Sequence, residues 1–171
     1  PSDGGGGGGS YGGGGGGSYG GGGGGGGYGG GGPGNALIDF ARANLTNADL
    51  REAELTATIT GWRGLFGRQN AATIDFTEAD LANALLSGST LKARGDSYGA
   101  ATIDFTETDL TNAAFTEADL TADGGKGADI DFTEADLANA DLSGSEITAN
   151  HRWYGDATID FTEADLTNAD L

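Results

Sequence analysis

ATIDFTEADL stands at residues 72–81 and returns letter for letter at 157–166, with ATIDFTETDL at 101–110 and ADIDFTEADL at 128–137 between them. Near-identical decapeptides within one chain are repeats, and repeats decide architecture before helices or strands are weighed. Large apolar residues fall every five positions: Phe40, Leu45, Leu50 and Leu55; Phe76, Leu81, Leu86 and Leu91; Phe105, Leu110, Phe115 and Leu120. The run goes on as Phe132, Leu137, Leu142 and Ile147, then Phe161, Leu166 and Leu171. A period of five matches neither the 3.6 of a helix nor the 2 of a flat strand. A smaller or apolar residue stands two positions before each anchor, as with Ile74, Ala79 and Ala84. Two side chains in five then point inward and three outward, which suits a chain that turns a corner every five residues.

Four corners close a square. Phe76, Phe105, Phe132 and Phe161 are separated by 29, 27 and 29 residues, one coil plus an excursion. Each Phe is therefore expected above the previous one, about 4.8 Å away at ordinary strand spacing. Over residues 36–171 the pattern resembles the pentapeptide-repeat family, whose A-(D/N)-L-x-x units wind a right-handed, four-sided β-helix. The resemblance implies an all-β solenoid of about five coils, the first at 36–57 and the last, 157–171, supplying three sides. The chain divides into a Gly/Ser/Tyr-rich tract at 1–34 and this repeat domain at 35–171.

The sequence departs from the family pattern at one corner of each coil. Anchor-to-anchor gaps of 21, 14, 12 and 14 residues leave excesses of 16, 9, 7 and 9 over the normal five. These excursions hold Trp62, Arg63, Phe66 and Arg68, then Arg94 and Tyr98, Lys126, and Arg152, Trp153 and Tyr154. They read either as polar loops packed over one corner or as a basic-aromatic ridge for contact with another copy, since Arg and aromatic residues are enriched where protein surfaces meet.

The tract at 1–34 carries 25 of the 36 glycines, punctuated by Tyr11, Tyr19 and Tyr28. It builds no core, and each Gly loses more backbone freedom on ordering than any other residue. As a free segment it is a flexible tail. As an extended, ordered segment it needs hydrogen-bond partners from other chains, with the tyrosines as spaced pins.

A formal charge of -18, from Lys+Arg 8 against Asp+Glu 26, repels nucleic acid and anionic membrane surfaces. No apolar run approaches the ~20 residues of a membrane-spanning helix. There is no Cys, so disulfides and thiolate metal sites are excluded. The chain has no Met and begins at Pro1, which reads as a processed chain or a fragment. His151 is the only His, and the carboxylates recur as scaffold instead of converging on a cleft, so no enzyme and no cofactor are expected. Stacking places Glu78, Glu107, Glu134 and Glu163 in one file and Asp75, Asp104, Asp131 and Asp160 in another. Such files are usually solvated faces, with divalent cations bridging rungs as the alternative. Asn47, Asn83, Asn112, Asn139 and Asn168 form a neutral file able to hydrogen-bond rung to rung. Arg94-Gly95-Asp96 spells an adhesion tripeptide, Asn44-Leu45-Thr46 is a glycosylation sequon, and the outward threonines are candidate O-glycosylation positions.

Two functions fit these observations. The first is a structural, self-assembling extracellular or cell-surface protein whose partner is itself. Its coil ends, with Phe40 on one and Phe161, Leu166 and Leu171 on the other, would stack into a filament alongside packed glycine tracts. The second is implied by the family resemblance: some bacterial members resemble a DNA duplex in shape and charge and bind a topoisomerase.

Overall fold

The computed structural model describes residues 35–59, 70–153 and 155–171. Among them are nine strands and no helix: β1 (Ala36–Asp39), β2 (Glu54–Thr58), β3 (Ala71–Asp75), β4 (Thr90–Arg94), β5 (Ala100–Asp104), β6 (Asp119–Gly124), β7 (Gly127–Asp131), β8 (Glu146–His151) and β9 (Ala157–Asp160). Odd strands form one parallel sheet in the order β1-β3-β5-β7-β9, and even strands form another in the order β2-β4-β6-β8. Two further parallel ladders of single bridges complete the circuit, one through Asn44, Asp80, Asp109, Asp136 and Asp165, the other through Asp49, Leu85, Ala114, Asp141 and Asp170. Four ladders per turn make a four-sided parallel β-solenoid.

The pentad explains each corner. In Asp75-Phe76-Thr77-Glu78-Ala79 the Asp75 carboxylate accepts the Thr77 amide hydrogen at 2.9 Å, bending the backbone as the chain leaves the strand. The Ala79 amide then donates to the Phe76 carbonyl at 2.9 Å, closing a four-residue turn. Glu78, third in that turn, takes the left-handed conformation at φ 56. Leu81 and Asn83 repeat these roles at the next corner, where the Asp80 carboxylate accepts the Ala82 amide and Asn83 has φ 58. Asn tolerates that conformation better than most residues. The Asp75, Asp104, Asp131 and Asp160 carboxylates each accept the amide of the Thr two residues on. These four carboxylates each cap their own turn.

Like residues stack on like. Ile74 pairs with Ile103, Ile103 with Ile130 and Ile130 with Ile159 across the odd sheet. Phe40, Phe76, Phe105, Phe132 and Phe161 form one column, with successive ring centroids 5.1, 5.0, 4.9 and 4.7 Å apart. Phe76, Phe105 and Phe132 are fully buried, and Phe161 lies half-buried in the outer rung. Phe115 stands where other coils have Leu and meets Phe105 edge-on at 6.0 Å. Burial at roughly 25 cal/mol per Å² makes this continuous core the main source of stability.

The described excursions hold less loop than their residue counts suggest. Between Leu120 and Phe132 only Gly125 and Lys126 lie outside strands, because most of the excess residues lengthen β6 and β7. β4 and β5 are joined by residues 95–99, and β8 and β9 by 152–156, at the same corner. An extended strand satisfies its backbone groups against neighbouring rungs, which a free loop would leave to water.

Candidate functional site

The outward side chains form columns, and their charges are organised along them. Arg42 stands at φ 58 in the turn position held by Glu78, Glu107, Glu134 and Glu163 in the other coils. Its guanidinium makes a two-pronged pair with Glu78, Nη2 to Oε1 at 2.7 Å and Nε to Oε2 at 2.8 Å, from one rung to the next. Each partner raises the other's tendency to stay ionised: the Arg42 pKa moves up and that of Glu78 down, chiefly through this hydrogen bond. Arg51 pairs with Asp49 within its own rung at 2.6 Å and holds that carboxyl down to about 2. Both pairs are exposed, so their net worth is small. At another corner Glu52, Gly88, Glu117 and Gly144 occupy equivalent turn positions at positive φ. A Cβ on Gly144 would lie 3.6 Å from Glu117 Cγ, so each glutamate has a glycine beside it where a second carboxylate would repel.

The asparagine file forms its ladder in part. Asn112 Nδ2 donates to Asn83 Oδ1, and Asn168 Nδ2 to Asn139 Oδ1, each at 3.3 Å.

Most of the expected ridge lies outside the described residues. Trp62, Arg63, Phe66, Arg68 and Tyr154 lie outside the described residues, as do Tyr11, Tyr19 and Tyr28. Trp153 is 66% exposed and Tyr98 43% exposed. Arg152 is engaged within the chain, where its guanidinium grips the Asp123 carboxylate of the adjacent rung, Nε to Oδ1 at 3.0 Å. The corner itself is closely stacked: the Gly125 amide donates to Gly99 O at 2.9 Å and the Trp153 amide to Gly125 O at 3.1 Å. A Cβ at Gly124, Gly125 or Gly155 would collide with neighbouring backbone. His151 ends β8 on the surface. The Asp96 carboxylate of the adhesion tripeptide accepts the Tyr98 amide hydrogen, which closes its own turn.

Among the described residues no three His, Cys, Asp or Glu side chains gather where they could hold a metal. The coil-edge residues named from sequence do lie on the outer rungs. Phe40, Phe161 and Leu166 are half-buried, and Leu171 is 72% exposed. Arg42 and Arg51 were missed. Setting each coil over the next, at an offset of 36 residues for Arg42 and Glu78, was the signal that finds them.

This architecture defines a class: a four-sided parallel β-solenoid built on five-residue units with inward Phe or Leu and Ala. The family model described as Pentapeptide repeats (8 copies) matches residues 38–59. The same five-residue anchors continue in register through the later coils, where Phe76, Leu81, Leu86 and Leu91 and their counterparts in the next coil are buried. Proteins of that family are generally structural or binding proteins without enzymatic activity.

Among solved structures, the chain is similar to HetL, a pentapeptide repeat protein involved in heterocyst differentiation regulation in the cyanobacterium Nostoc sp. strain PCC 7120. Identity is 22%, covering 76% of this chain and 47% of HetL, with a TM-score of 0.21. The chain thus spans about half the length of HetL. It is also similar to a pentapeptide repeat protein of the Arabidopsis thaliana thylakoid lumen, at 23% identity over 81% of this chain and 68% of that one, TM-score 0.22. A third is Rfr23 from the cyanobacterium Cyanothece 51142, at 15% identity over 74% and 86%, TM-score 0.19. Comparison with curated proteins gave no match.

Proposed function

We propose that this is a structural, self-assembling protein whose copies stack coil edge on coil edge into a filament outside the cell. One observation carries the reading. β1 and β9, the outer strands of one sheet, present the same side chains in the same register: Ala36, Ile38, Asp39 and Phe40 head the columns that end in Ala157, Ile159, Asp160 and Phe161. A second copy laid with its β1 against β9 continues every column as one rung continues another. The apolar edge favours this, since Ile159 is 41% and Leu171 72% exposed. Outer strands with unpaired backbone groups recruit further strands, and such a head-to-tail contact does not close on itself.

Electron microscopy and sedimentation of the 171-residue chain test the reading. Elongated particles that lengthen with concentration are expected. Ile159→Lys, which puts a charge inward on the outer rung, should give discrete particles with unchanged β circular dichroism. Wild-type chains that stay as single short rods at all concentrations would overturn it. That outcome would favour the acidic duplex-mimic reading, in which the carboxylate-bearing side faces make the contacts.

A further inference from the structure

We infer that the coil-edge contact is polar, and that Arg42 and Arg51 of one copy fix its direction by meeting Glu163 and Asp170 of the next. This rests on the self-assembly reading and adds the rule by which one edge chooses the other.

The cations of the chain are unevenly placed. Among the described residues, Arg42 and Arg51 alone of the cations lie in pentad corners, and both are in the first coil. Lys92 and Arg94 stand in β4, Lys126 between β6 and β7, and Arg152 just after β8. The last rung carries Asp160, Glu163, Asp165 and Asp170 and no cation.

The column positions align these charges. Arg42, Glu78, Glu107 and Glu134 are linked rung to rung by equivalent amide bonds, Arg42 to Thr77 O, Glu78 to Thr106 O, Glu107 to Thr133 O and Glu134 to Thr162 O. Glu163 follows in that column and has no cation partner among the described residues. Continuing the solenoid with a second copy sets the second copy's Arg42 one rung beyond Glu163. Its guanidinium, with five N–H donors in a planar fork, can keep Glu78 and accept a second carboxylate from above. Asp170 and Asp49 head opposite ends of one bridge ladder. The same stacking therefore brings Asp170 onto Asp49, where Arg51 already stands.

The other pairings are disfavoured. Two last rungs brought together oppose four carboxylates to four, with nothing positive between them. Two first coils leave Arg42 and Arg51 without Glu163 or Asp170 across the junction. Rim charges arranged this way mostly reject wrong partners and set register, while the apolar edge supplies the area.

Charge reversal tests the rule. Arg42→Glu gives a copy with a carboxylate at that column on both edges, and Glu163→Arg gives a copy with an arginine on both. At low salt each variant alone should assemble roughly tenfold more weakly than wild type in sedimentation. An equimolar mixture should recover assembly as an alternating polymer, because each mixed junction again pairs Glu with Arg. Circular dichroism melts confirm that both variants fold, and the mixture itself excludes simple unfolding as the cause. Variants that assemble like wild type, or a mixture of folded variants that fails to recover, would overturn the polarity rule and leave stacking intact. A wild-type chain that does not assemble at any concentration overturns the stacking reading and the rule together.

Discussion

The hydroxyl of Thr108 donates a 2.8 Å hydrogen bond to the carbonyl oxygen of Phe76, across one rung of the solenoid. Thr108 is the single letter by which ATIDFTETDL departs from ATIDFTEADL, and it is buried at 1% exposure in a column otherwise filled by alanine. A buried hydroxyl costs stability unless it finds an acceptor, and here it finds one. Ser89 is the contrast, since its Oγ is buried without a partner. Thr108→Val, which keeps the shape, should lower stability by about 1 kcal/mol. Ser89→Ala should be neutral or stabilising by up to about 1 kcal/mol. Urea unfolding at equal slope checks both, and loss of stability in the Ser89 variant would contradict the account.

Glu107 carries two burdens at once. It is held at φ 56, a conformation costing roughly 1–2 kcal/mol for most L residues. It also lies between Glu78 and Glu134 in one column, where neighbouring carboxylates about one strand spacing apart repel. Glu107→Asn eases both and should stabilise by about 1 kcal/mol or more at low salt. Glu107→Gln eases only the repulsion. In ~1 M salt, where screening acts within about 3 Å, the Gln gain should vanish while part of the Asn gain persists. Equal gains for both substitutions at high salt would show that backbone strain contributes nothing here.

The solenoid was legible because its rule is local. Asp75, Phe76, Glu78 and Ala79 each serve one turn, and the turn is written out in every pentad. The stacking of Phe76, Phe105, Phe132 and Phe161 followed from spacing alone. The corner of excursions was not legible, since counting residues cannot separate a loop from strands that run on, as β6 and β7 do around Gly125 and Lys126. Nor was Arg42, because the first coil reads ALIDFARANL and its partner Glu78 lies at an offset found nowhere between the later decapeptides. The Arg152 pair with Asp123 could be found only by setting β6 beside β8.

Gly125 and Gly88 should respond differently to the same substitution. Gly88 has φ +67, and a Cβ there would meet only Glu52 Cγ at 3.8 Å. Gly88→Ala therefore carries the left-handed backbone cost alone, about 1 kcal/mol. A Cβ on Gly125 would strike the backbone of Asp96 and Ser97, which cannot move aside as a flexible side chain does. Gly125→Ala should cost about 3 kcal/mol, at the upper end of ordinary substitutions. It should also speed hydrogen exchange at the Gly125 and Trp153 amides, which are bonded through this corner. Matching losses in the two variants would mean that the corner yields easily.

Asp129 stands between Thr102 and Thr158 in the odd sheet, the one acid in a column of threonines over those three rungs. Burial pushes its pKa above the ordinary 3.8. The Thr158 hydroxyl works against that rise, and the nearby Asp131 and Asp156 add to it. An acid whose folded pKa is raised favours the folded state when protonated. Its unfavourable contribution is absent below 3.8, develops as pH rises through the raised folded value, and is complete at neutral pH. Asp129→Thr removes it and completes a cross-strand threonine column worth about 0.2–1 kcal/mol. The gain should be largest at neutral pH and shrink to the threonine contribution in acid. Asp165 behaves oppositely. The Thr167 hydroxyl and amide hold its pKa below 3.8, so its contribution is present above 3.8 and lost as pH falls through the lowered folded value. Asp165→Asn should therefore cost stability at neutral pH and progressively less in acid. Thermal melts of wild type and both variants between about pH 3 and 7, a range that spans the carboxylate titrations, should show difference curves that both shrink toward acid from opposite sides. A gain from Asp129→Thr that is independent of pH would place the whole benefit in packing and none in the carboxylate.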